Sequence, residues 1–330
     1  MIDLHTHILP ERWPDMAARA GGGDWVSIEH HAPCCARLMR SGKSFREVSS
    51  NCWDPAARLS ECDAAGVSMQ VLSTVPVMFS YWARADHALD LSRFLNDHIA
   101  EVVGATPARF AGLGTVPLQD ASLACAELER CMRSLGLRGV QIGTNVNGLN
   151  LDDSSLESFW SCAASLGAAV FVHPWDMVGA AQMPRHWMPW LVGMPCEGAR
   201  AAVSLLMGGV LDRHPALRVC LAHGGGSFPF TIGRVQRGFE CRPDLCQTAS
   251  TVPPVAAARK LYYDSLVHDP DALAFLLKKV GADRVALGTD YPFPLGEDSP
   301  GETIRATPGL DPVTIDRLLR GTAREFLGLA

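Results

Sequence analysis

The sequence predicts an α/β protein built as a distorted (β/α)8 TIM barrel, and three observations support this fold class. Short apolar or β-branched runs alternate with helical patterns along the chain, as in a parallel sheet covered by helices. Eight such runs occur, the number at which parallel strands close into a barrel. The length of 330 residues suits one barrel with insertions. We therefore expect a single domain over residues 1–330.

The eight candidate strands are short and follow one another in chain order. They are Ile2–His5, Met69–Thr74, Phe110–Val116, Gly139–Ile142, Ala169–His173, Arg218–His223, Leu261–Asp264 and Val285–Asp290. The helices between them carry ordinary start signals. Asp269 is a candidate N-cap with Pro270 at the first helical position, followed by leucines at helical spacing, and Asp311 with Pro312 starts the last helix in the same way.

Two long segments interrupt the alternation of strands and helices. Residues 8–56 are rich in Gly, Trp, His and Cys and show weak periodicity, so we predict a small insertion that caps the barrel mouth after strand one. Residues 174–195 follow the fifth candidate strand and contain Trp175, Trp187 and Trp190. Long irregular segments in compact domains are usually functional.

Composition narrows the classes of partner and compartment. A hydrophobic fraction of 48% and a charged fraction of 19% are typical of a globular protein with a large core. The net charge of −6 disfavours a general grip on nucleic acid, so we expect no nucleic-acid partner. No apolar run is long enough for a membrane span or an export signal, so we expect no membrane association.

The eleven cysteines show no zinc-ribbon or redox-pair spacing. We expect most of them to be reduced thiols in the core, and we take Cys125, Cys131, Cys162 and Cys220 as examples because they lie among apolar residues. Reduced cysteines are typical of a reducing compartment, so we expect a cytoplasmic protein.

The strongest functional pattern lies at the ends of the candidate strands. His5 and His7 lie at the end of strand one, His173 closes strand five, and Asp290 closes strand eight. The carboxyl ends of parallel barrel strands share one face, where active sites are built. Any one of these histidines alone would be read as an ordinary buried residue. Together they predict a metal site of nitrogen and oxygen donors, which suits zinc best, with iron, cobalt or manganese as alternatives.

Two further features refine this metal site. Barrels with a His-x-His start often hold two metals bridged by a modified lysine at the end of strand four, but Val140–Thr144 contains no lysine, so we predict a single metal. His223 closes strand six and is then free to serve as a general base toward a water on the metal. The glycines after His223 would let backbone approach the site, although they could also form a plain turn.

Longer segments of the chain are similar to one known family. They are Cys52–Pro55, Leu72–Phe79, His173–Met177, Pro189–Pro195, His223–Gly226 and Gly288–Glu297. On these segments the chain resembles the α-amino-β-carboxymuconate-ε-semialdehyde decarboxylase family of the amidohydrolase superfamily, nearly end to end. The resemblance implies a zinc-dependent, non-oxidative decarboxylase of the kynurenine branch of tryptophan degradation. Such an enzyme diverts its semialdehyde from spontaneous conversion to quinolinate and needs no organic cofactor.

The resemblance also implies roles for individual residues. His5, His7, His173 and Asp290 would bind one zinc ion per subunit, and His223 would be the base. Arg46, in the insertion, matches an arginine that holds a substrate carboxylate. Arg234 and Arg242 match arginines near the substrate, one of which the neighbouring subunit supplies, so a homodimer is implied. Trp175, Trp190 and Phe293 are candidate pocket walls, although aromatic residues near barrel mouths often only pack.

The resemblance implies a decarboxylase that works on a small dicarboxylate semialdehyde. Direct loss of CO₂ from an sp² carbon would leave a poorly stabilised vinyl carbanion, so prior addition of a proton or hydroxide to the double bond is expected. Two alternatives stay open. The chain could be a related metal-dependent decarboxylase or hydrolase acting on an aromatic or unsaturated acid, or a non-catalytic barrel that binds ligands. A complete set of ligands and a base argues against the last.

Overall fold

The computed structural model describes residues 1–329, and eight strands in chain order form its centre. Their bounds are β1 Ile2–Ile8, β5 Met69–Thr74, β6 Phe110–Gly112, β7 Gly139–Gly143, β8 Ala169–His173, β9 Arg218–Leu221, β10 Tyr262–Asp264 and β11 Val285–Ala286. They lie in two parallel sheets, with the orders β1-β5-β6 and β11-β10-β9-β8-β7. The eight predicted strands are therefore confirmed.

The two sheets meet along both of their edges. Isolated parallel bridges join Thr6 to Tyr291 and Gly114 to Val140. The Leu4 amide also donates to the Leu287 carbonyl at 2.8 Å. Over residues 1–329 these contacts give a TIM-barrel-like α/β fold made of two linked sheets, rather than one continuous ladder around a closed barrel. Ala330, the last residue of the predicted 1–330 domain, lies outside the described residues.

Three predicted strands end earlier than expected. The predicted ranges ran to Val116, His223 and Asp290, whereas the ladders stop at Gly112, Leu221 and Ala286. His223 and Asp290 adopt φ values of 55° and 59°, which no strand residue has, so the chain turns out of the sheet before it reaches them. Conversely, β1 continues to Ile8, so His5 and His7 lie within a strand rather than at its end.

Helices pack around the sheets between successive strands. Their bounds are α1 Met16–Ala20, α2 Pro55–Ala65, α3 Ala85–Ala105, α4 Ala121–Arg133, α5 Glu157–Leu166, α6 Met194–Met207, α7 Val210–Arg213, α8 Phe228–Cys241, α9 Pro243–Cys246, α10 Pro254–Ala257, α11 Pro270–Val280, α12 Glu302–Ala306, α13 Pro312–Asp316 and α14 Thr322–Leu327. Asp269 and Asp311 cap α11 and α13, accepting from the amides of Ala272 and Thr314 at 2.8 Å. Both predicted helix starts are confirmed, but the last helical region continues past α13 through a π-helical turn into α14.

The segment between β1 and α2 contains a small antiparallel sheet. Its strands are β2 Ser27–Ala32, β3 Cys35–Arg40 and β4 Lys43–Ser49. We call this three-stranded unit the cap sheet. The sequence analysis assigned no strands here, because most side chains of β2 and β4 are exposed or only half-buried and give little apolar alternation.

One cluster of buried apolar side chains fills the space inside the ring of strands. It draws on seven of the eight strands, with Leu4, Val71, Phe171 and Tyr262 among its members, and Phe326 of α14 belongs to it. The cysteines contribute less to the core than expected. All eleven are free, but only Cys52, Cys62, Cys131 and Cys220 are buried, so the prediction that most would be core thiols is wrong.

The described residues include no helix that is both long enough and apolar enough to cross a membrane.

Candidate metal and active site

The four predicted metal ligands meet in one small volume. Within His5, His7, His173 and Asp290, one donor atom of each lies within 4.8 Å of the others. The His7 Nε2 to Asp290 Oδ1 distance is 2.9 Å, and His5 Nε2 lies 3.2 Å from His7 Nε2. His5 and His7 reach the cluster from the same strand because residues two apart point to the same side.

The ring orientation of each histidine is fixed by a hydrogen bond on the far side of its ring. Each imidazole bonds through Nδ1 to an acceptor: His5 to Asp264 Oδ2 at 2.7 Å, His7 to the Thr74 carbonyl at 3.0 Å, and His173 to the Pro174 carbonyl at 3.0 Å. Carbonyl and carboxylate oxygens only accept, so the hydrogen of each ring sits on Nδ1. The three Nε2 lone pairs are therefore free to face the cluster, as metal ligation requires.

The donor set fits a divalent metal. His173 Nε2 is buried and has no hydrogen-bond partner within residues 1–329, an unusual state for a polar atom. Burial holds the pKa of His173 well below its usual value, so the ring is neutral and can donate a lone pair. Burial alone would raise the pKa of Asp290, but the close approach of His7 and His5 holds it below its usual range. Neutral imidazoles with a carboxylate suit zinc and similar ions.

Buried hydrogen bonds hold Asp290 against β1. The Asp290 amide donates to the His5 carbonyl at 2.9 Å. The preceding residue, Thr289, donates its hydroxyl to Asp3 at 2.6 Å and its amide to the same carboxylate at 3.1 Å. Arg58 of α2, fully buried, donates to the His7 carbonyl at 2.7 Å. The donor cluster is thus fixed from both the strand and the helix side.

His223 lies beside the cluster but outside the four-residue donor group. Its ring centroid lies 5.3 Å from that of His5 and 5.0 Å from that of His173. Burial lowers the pKa of His223 to about 4, so the imidazole is neutral near pH 7 and can accept a proton. The glycines behind it permit close packing, since a Cβ on Gly226 would lie 2.3 Å from the Pro195 carbonyl oxygen.

Strand β7 carries a glutamine network in the region where related barrels place a bridging lysine. Gln141 donates to the Thr74 carbonyl at 2.8 Å and accepts from the Ser73 hydroxyl at 2.8 Å. Both partners lie on β5, and the Thr74 carbonyl is also the acceptor for His7. This part of the wall supports the histidines and offers no second carboxylate or carbamate.

A cavity of about 580 Å³ opens above the cluster. All three aromatic residues named from the sequence line it: Trp175, Trp190 and Phe293. Arg46 of the cap sheet also lines it, with its guanidinium carbon 4.3 Å from the centre of the Phe293 ring. Among the described residues Arg46 has no carboxylate within ion-pair distance. A half-buried cation without a counter-charge at a cavity wall is suited to an anionic ligand.

The other two predicted arginines do not reach this cavity within one chain. Arg234 is exposed on α8 and is not part of the cavity wall. Arg242 follows α8, is exposed, and pairs with Asp244 at 2.7 Å. Their predicted contact with substrate therefore needs a second subunit, or does not occur.

Sequence reasoning missed several residues at the site. Asp264, the last residue of β10, bonds both to His5 and to the backbone after His223. Its place at the carboxyl end of a predicted strand was the available signal. Trp187, Leu191 and Phe230 also line the cavity. For these three the sequence carried only aromatic or apolar identity in irregular or helical segments.

Comparison with known proteins places this site in a family. A family model described as Amidohydrolase matches residues 2–329. The 2-amino-3-carboxymuconate-6-semialdehyde decarboxylase of Dictyostelium discoideum is 55% identical over 328 residues, covering 99% of this chain and 91% of that protein. The chain belongs to this amidohydrolase family of decarboxylases. The predicted resemblance is confirmed.

A second relative supports the family assignment, and a solved structure shares the fold. The Caenorhabditis elegans 2-amino-3-carboxymuconate-6-semialdehyde decarboxylase is 37% identical, covering 92% of this chain and 88% of that protein. A solved structure of dihydroxybenzoic acid decarboxylase from Polaromonas sp. JS666, with bound manganese and the inhibitor 2-nitroresorcinol, shares the fold. Its TM-score is 0.77 at 22% identity, and the match covers 99% of this chain and 96% of that one.

Proposed function

We propose that the chain catalyses the non-oxidative decarboxylation of 2-amino-3-carboxymuconate 6-semialdehyde to 2-aminomuconate 6-semialdehyde. The observation that carries this proposal is the 55% identity over nearly the whole chain to a relative with that name. The donor cluster and cavity support a decarboxylase, but a more distant relative at 27% identity is named for another carboxylic acid, γ-resorcylate. The substrate assignment therefore rests on the closer similarity.

The proposed metal is one zinc ion per subunit, with His5, His7, His173 and Asp290 as its protein ligands. When bound there, a divalent metal would lower the pKa of a water molecule and polarise a substrate oxygen. Zinc suits three imidazoles and one carboxylate. The manganese in the Polaromonas structure makes manganese the first alternative to test. The proposal includes no organic cofactor.

Other side chains of the chain would then transfer the proton, bind the substrate carboxylate and exclude water. The neutral His223 imidazole takes a proton from solvent water and delivers it to the carbon from which CO₂ departs. The C–C bond to the carboxylate breaks, its electron pair forms the new C–H bond, and each turnover consumes one solvent proton. Arg46 holds a substrate carboxylate through paired N–H donors. The aromatic wall of Trp175, Trp190 and Phe293 excludes water around the conjugated chain of the substrate.

The proposed functional unit is a homodimer in which Arg234 of one subunit reaches the cavity of the other. Phe230, one helical turn before Arg234 on α8, is 85% exposed and lines the cavity mouth. Leu191 and Val192 expose further apolar surface in the segment before α6. Exposed apolar side chains beside an arginine that does not reach the cavity of its own chain are typical of a subunit interface.

Co-expression of two inactive variants with different tags tests this arrangement. His223→Ala and Arg234→Ala subunits, purified together through both tags, would share one site that carries neither change. Activity above that of either variant alone is expected. Heterodimers that stay inactive, or a wild-type protein that is monomeric while active, would contradict the shared site.

Several broader expectations stay proposals. We propose that the eight strands form one distorted (β/α)8 barrel domain, with the cap sheet as the insertion over its mouth.

We also place the reaction in the kynurenine branch of tryptophan degradation, in the cytoplasm, where it would divert the semialdehyde from quinolinate. The family resemblance supports the pathway, and the eleven free cysteines fit a reducing compartment.

A spectrophotometric assay of the purified, metal-loaded protein tests the activity. Freshly generated 2-amino-3-carboxymuconate 6-semialdehyde should lose its absorbance faster than it cyclises alone, with release of one CO₂ per molecule consumed. γ-Resorcylate and 5-carboxyvanillate serve as comparison substrates. Turnover of an aromatic acid in place of the semialdehyde would redirect the assignment, and no turnover of any acid would favour a binding protein.

A further inference from the structure

We propose that Asp264 is a positioning residue that fixes the tautomer of His5 and the backbone of His223 together. This inference rests on the proposed function, because it concerns the same metal ligand and the same base. Asp264 lies at the end of β10 and is fully buried. Its two carboxylate oxygens have different partners: one accepts from the His5 ring and the other from the backbone that follows His223.

The first oxygen controls His5. Asp264 Oδ2 accepts from His5 Nδ1 at 2.7 Å, with both side chains wholly excluded from solvent. His7 and His173 are oriented in the same way, but by the backbone carbonyls of Thr74 and Pro174. Of the three acceptors, Asp264 is thus the one that a side-chain substitution can change. It is also the one that carries charge and can raise the donor strength of its imidazole.

The second oxygen controls the turn that presents His223. Asp264 Oδ1 accepts from the Gly224 amide at 2.8 Å and from the Leu266 amide at 3.2 Å. His223 and Gly224 have φ values of 55° and 60°, two successive residues in the left-handed region. A non-glycine residue held in that region costs free energy, so the turn needs an anchor from its surroundings. The Gly224 bond supplies one.

Packing leaves the carboxylate little freedom to move. A Cβ built on Gly288, the residue two before Asp290, would lie 2.8 Å from the Cβ atoms of both Asp264 and His5. The glycine therefore permits the two side chains to approach β11 closely.

The asymmetry of an amide makes this inference testable. Asp264→Asn keeps the size of the side chain but offers one acceptor and one donor in place of two acceptors. If the amide nitrogen faces His5, then Nδ1 must accept, the hydrogen moves to Nε2, and the metal-facing lone pair is lost. If the amide flips, the nitrogen meets the Gly224 N–H and the anchor of the His223 turn is lost. Neither orientation preserves both contacts.

The experiment compares Asp264→Asn with Asp271→Asn, an exposed aspartate on α11. Metal affinity is measured by competition with a zinc chelator on protein whose thermal melt shows that it is folded. We expect Asp264→Asn to weaken zinc binding roughly 10-fold to 100-fold and the control to leave it unchanged. At saturating zinc, kcat should stay roughly tenfold below that of the unchanged protein, because the His223 turn is also disturbed. Unchanged zinc affinity in a folded Asp264→Asn protein would overturn the proposal.

Two further measurements separate positioning from simple packing. Asp264→Glu retains two acceptor oxygens and should bind zinc more tightly than Asp264→Asn, whereas equal losses would mean that only shape matters. Nitrogen-15 NMR of the zinc-loaded, unsubstituted protein should show hydrogen on Nδ1 of His5 and zinc on Nε2, and hydrogen on Nε2 would overturn the inference without any variant. Both readouts are independent of substrate. They can therefore fail while the decarboxylase assay succeeds, or succeed while it fails.

Discussion

The donor cluster and the arginines around the cavity differ in how completely one chain builds them. All four donors come from β1, β8 and the turn after β11, and hydrogen bonds inside the chain set their positions. Of the three predicted substrate arginines, only Arg46 reaches the cavity, while Arg234 and Arg242 remain on the surface. One chain therefore positions all four candidate metal donors, whereas it brings only one of the three predicted substrate arginines to the cavity.

The difference has a physical origin. Strand ends of a barrel are held by two neighbouring strands, so side chains there can be placed within tenths of an ångström. Arg46 instead belongs to the cap sheet, and Arg234 belongs to an exposed helix face. The cap sheet and the exposed face of α8 can adapt to a substrate or to a second subunit.

Removal of one donor should have the largest effect. His173→Ala removes a ligand that has no replacement nearby, so we expect metal content to fall close to zero and turnover to become unmeasurable. His87→Ala, a histidine on α3 away from the cavity, is the matched control. Elemental analysis and the semialdehyde assay on the same samples give both readouts. An active His173→Ala protein with a full complement of metal would contradict the proposed role of His173 as a metal ligand.

His223→Ala should separate chemistry from metal binding. Loss of a general base typically lowers kcat about 10²-fold to 10⁴-fold, and the donor cluster would remain intact. We therefore expect a protein with unchanged metal content and a much lower kcat. Retained activity would exclude the base role, and loss of metal would mean that His223 belongs to the ligand set.

The sequence predicted that the four side chains of the proposed donor cluster would come together, because their convergence depends on few, regular rules. His5, His7, His173 and Asp290 lie near strand ends, and the carboxyl ends of parallel strands share one face. The exact ends of β9 and β11 were missed, because the glycines after His223 indicated a turn but not where the strand stops, and the left-handed turn at Asp290 leaves no composition signal. The cap sheet and Asp264 were missed for the same kind of reason. The cap strands show only weak apolar alternation, and Asp264 offered only its place at the carboxyl end of a predicted strand, which does not show what it contacts.

Arg46→Ala should affect binding more than chemistry. A hydrogen bond to a charged group contributes about 1.5–3 kcal/mol, which corresponds to roughly a 10-fold to 100-fold increase in KM. Metal content should not change, because Arg46 contacts none of the groups that accept hydrogen bonds from the three metal-binding histidines. Arg37→Ala, an exposed arginine on the adjacent strand β3, is the control. A fall in kcat with KM unchanged would place Arg46 in the chemical step instead.

Arg242→Ala should have the smallest effect. Its guanidinium is exposed and paired with Asp244, and such surface pairs contribute about 0–1 kcal/mol. We expect kcat, KM and metal content within roughly a few-fold of the unchanged protein. A large increase in KM would show that Arg242, rather than Arg234 alone, crosses into a neighbouring cavity.

A titration of metal-free protein with zinc tests the central claim most directly. Protein stripped by a chelator should have no decarboxylase activity, and activity should rise linearly with added zinc until one equivalent per chain is bound. A parallel titration with manganese identifies the preferred ion. Full activity in protein shown to contain no metal, or a rise that continues to two equivalents, would contradict a single-metal centre built from three histidines and one aspartate.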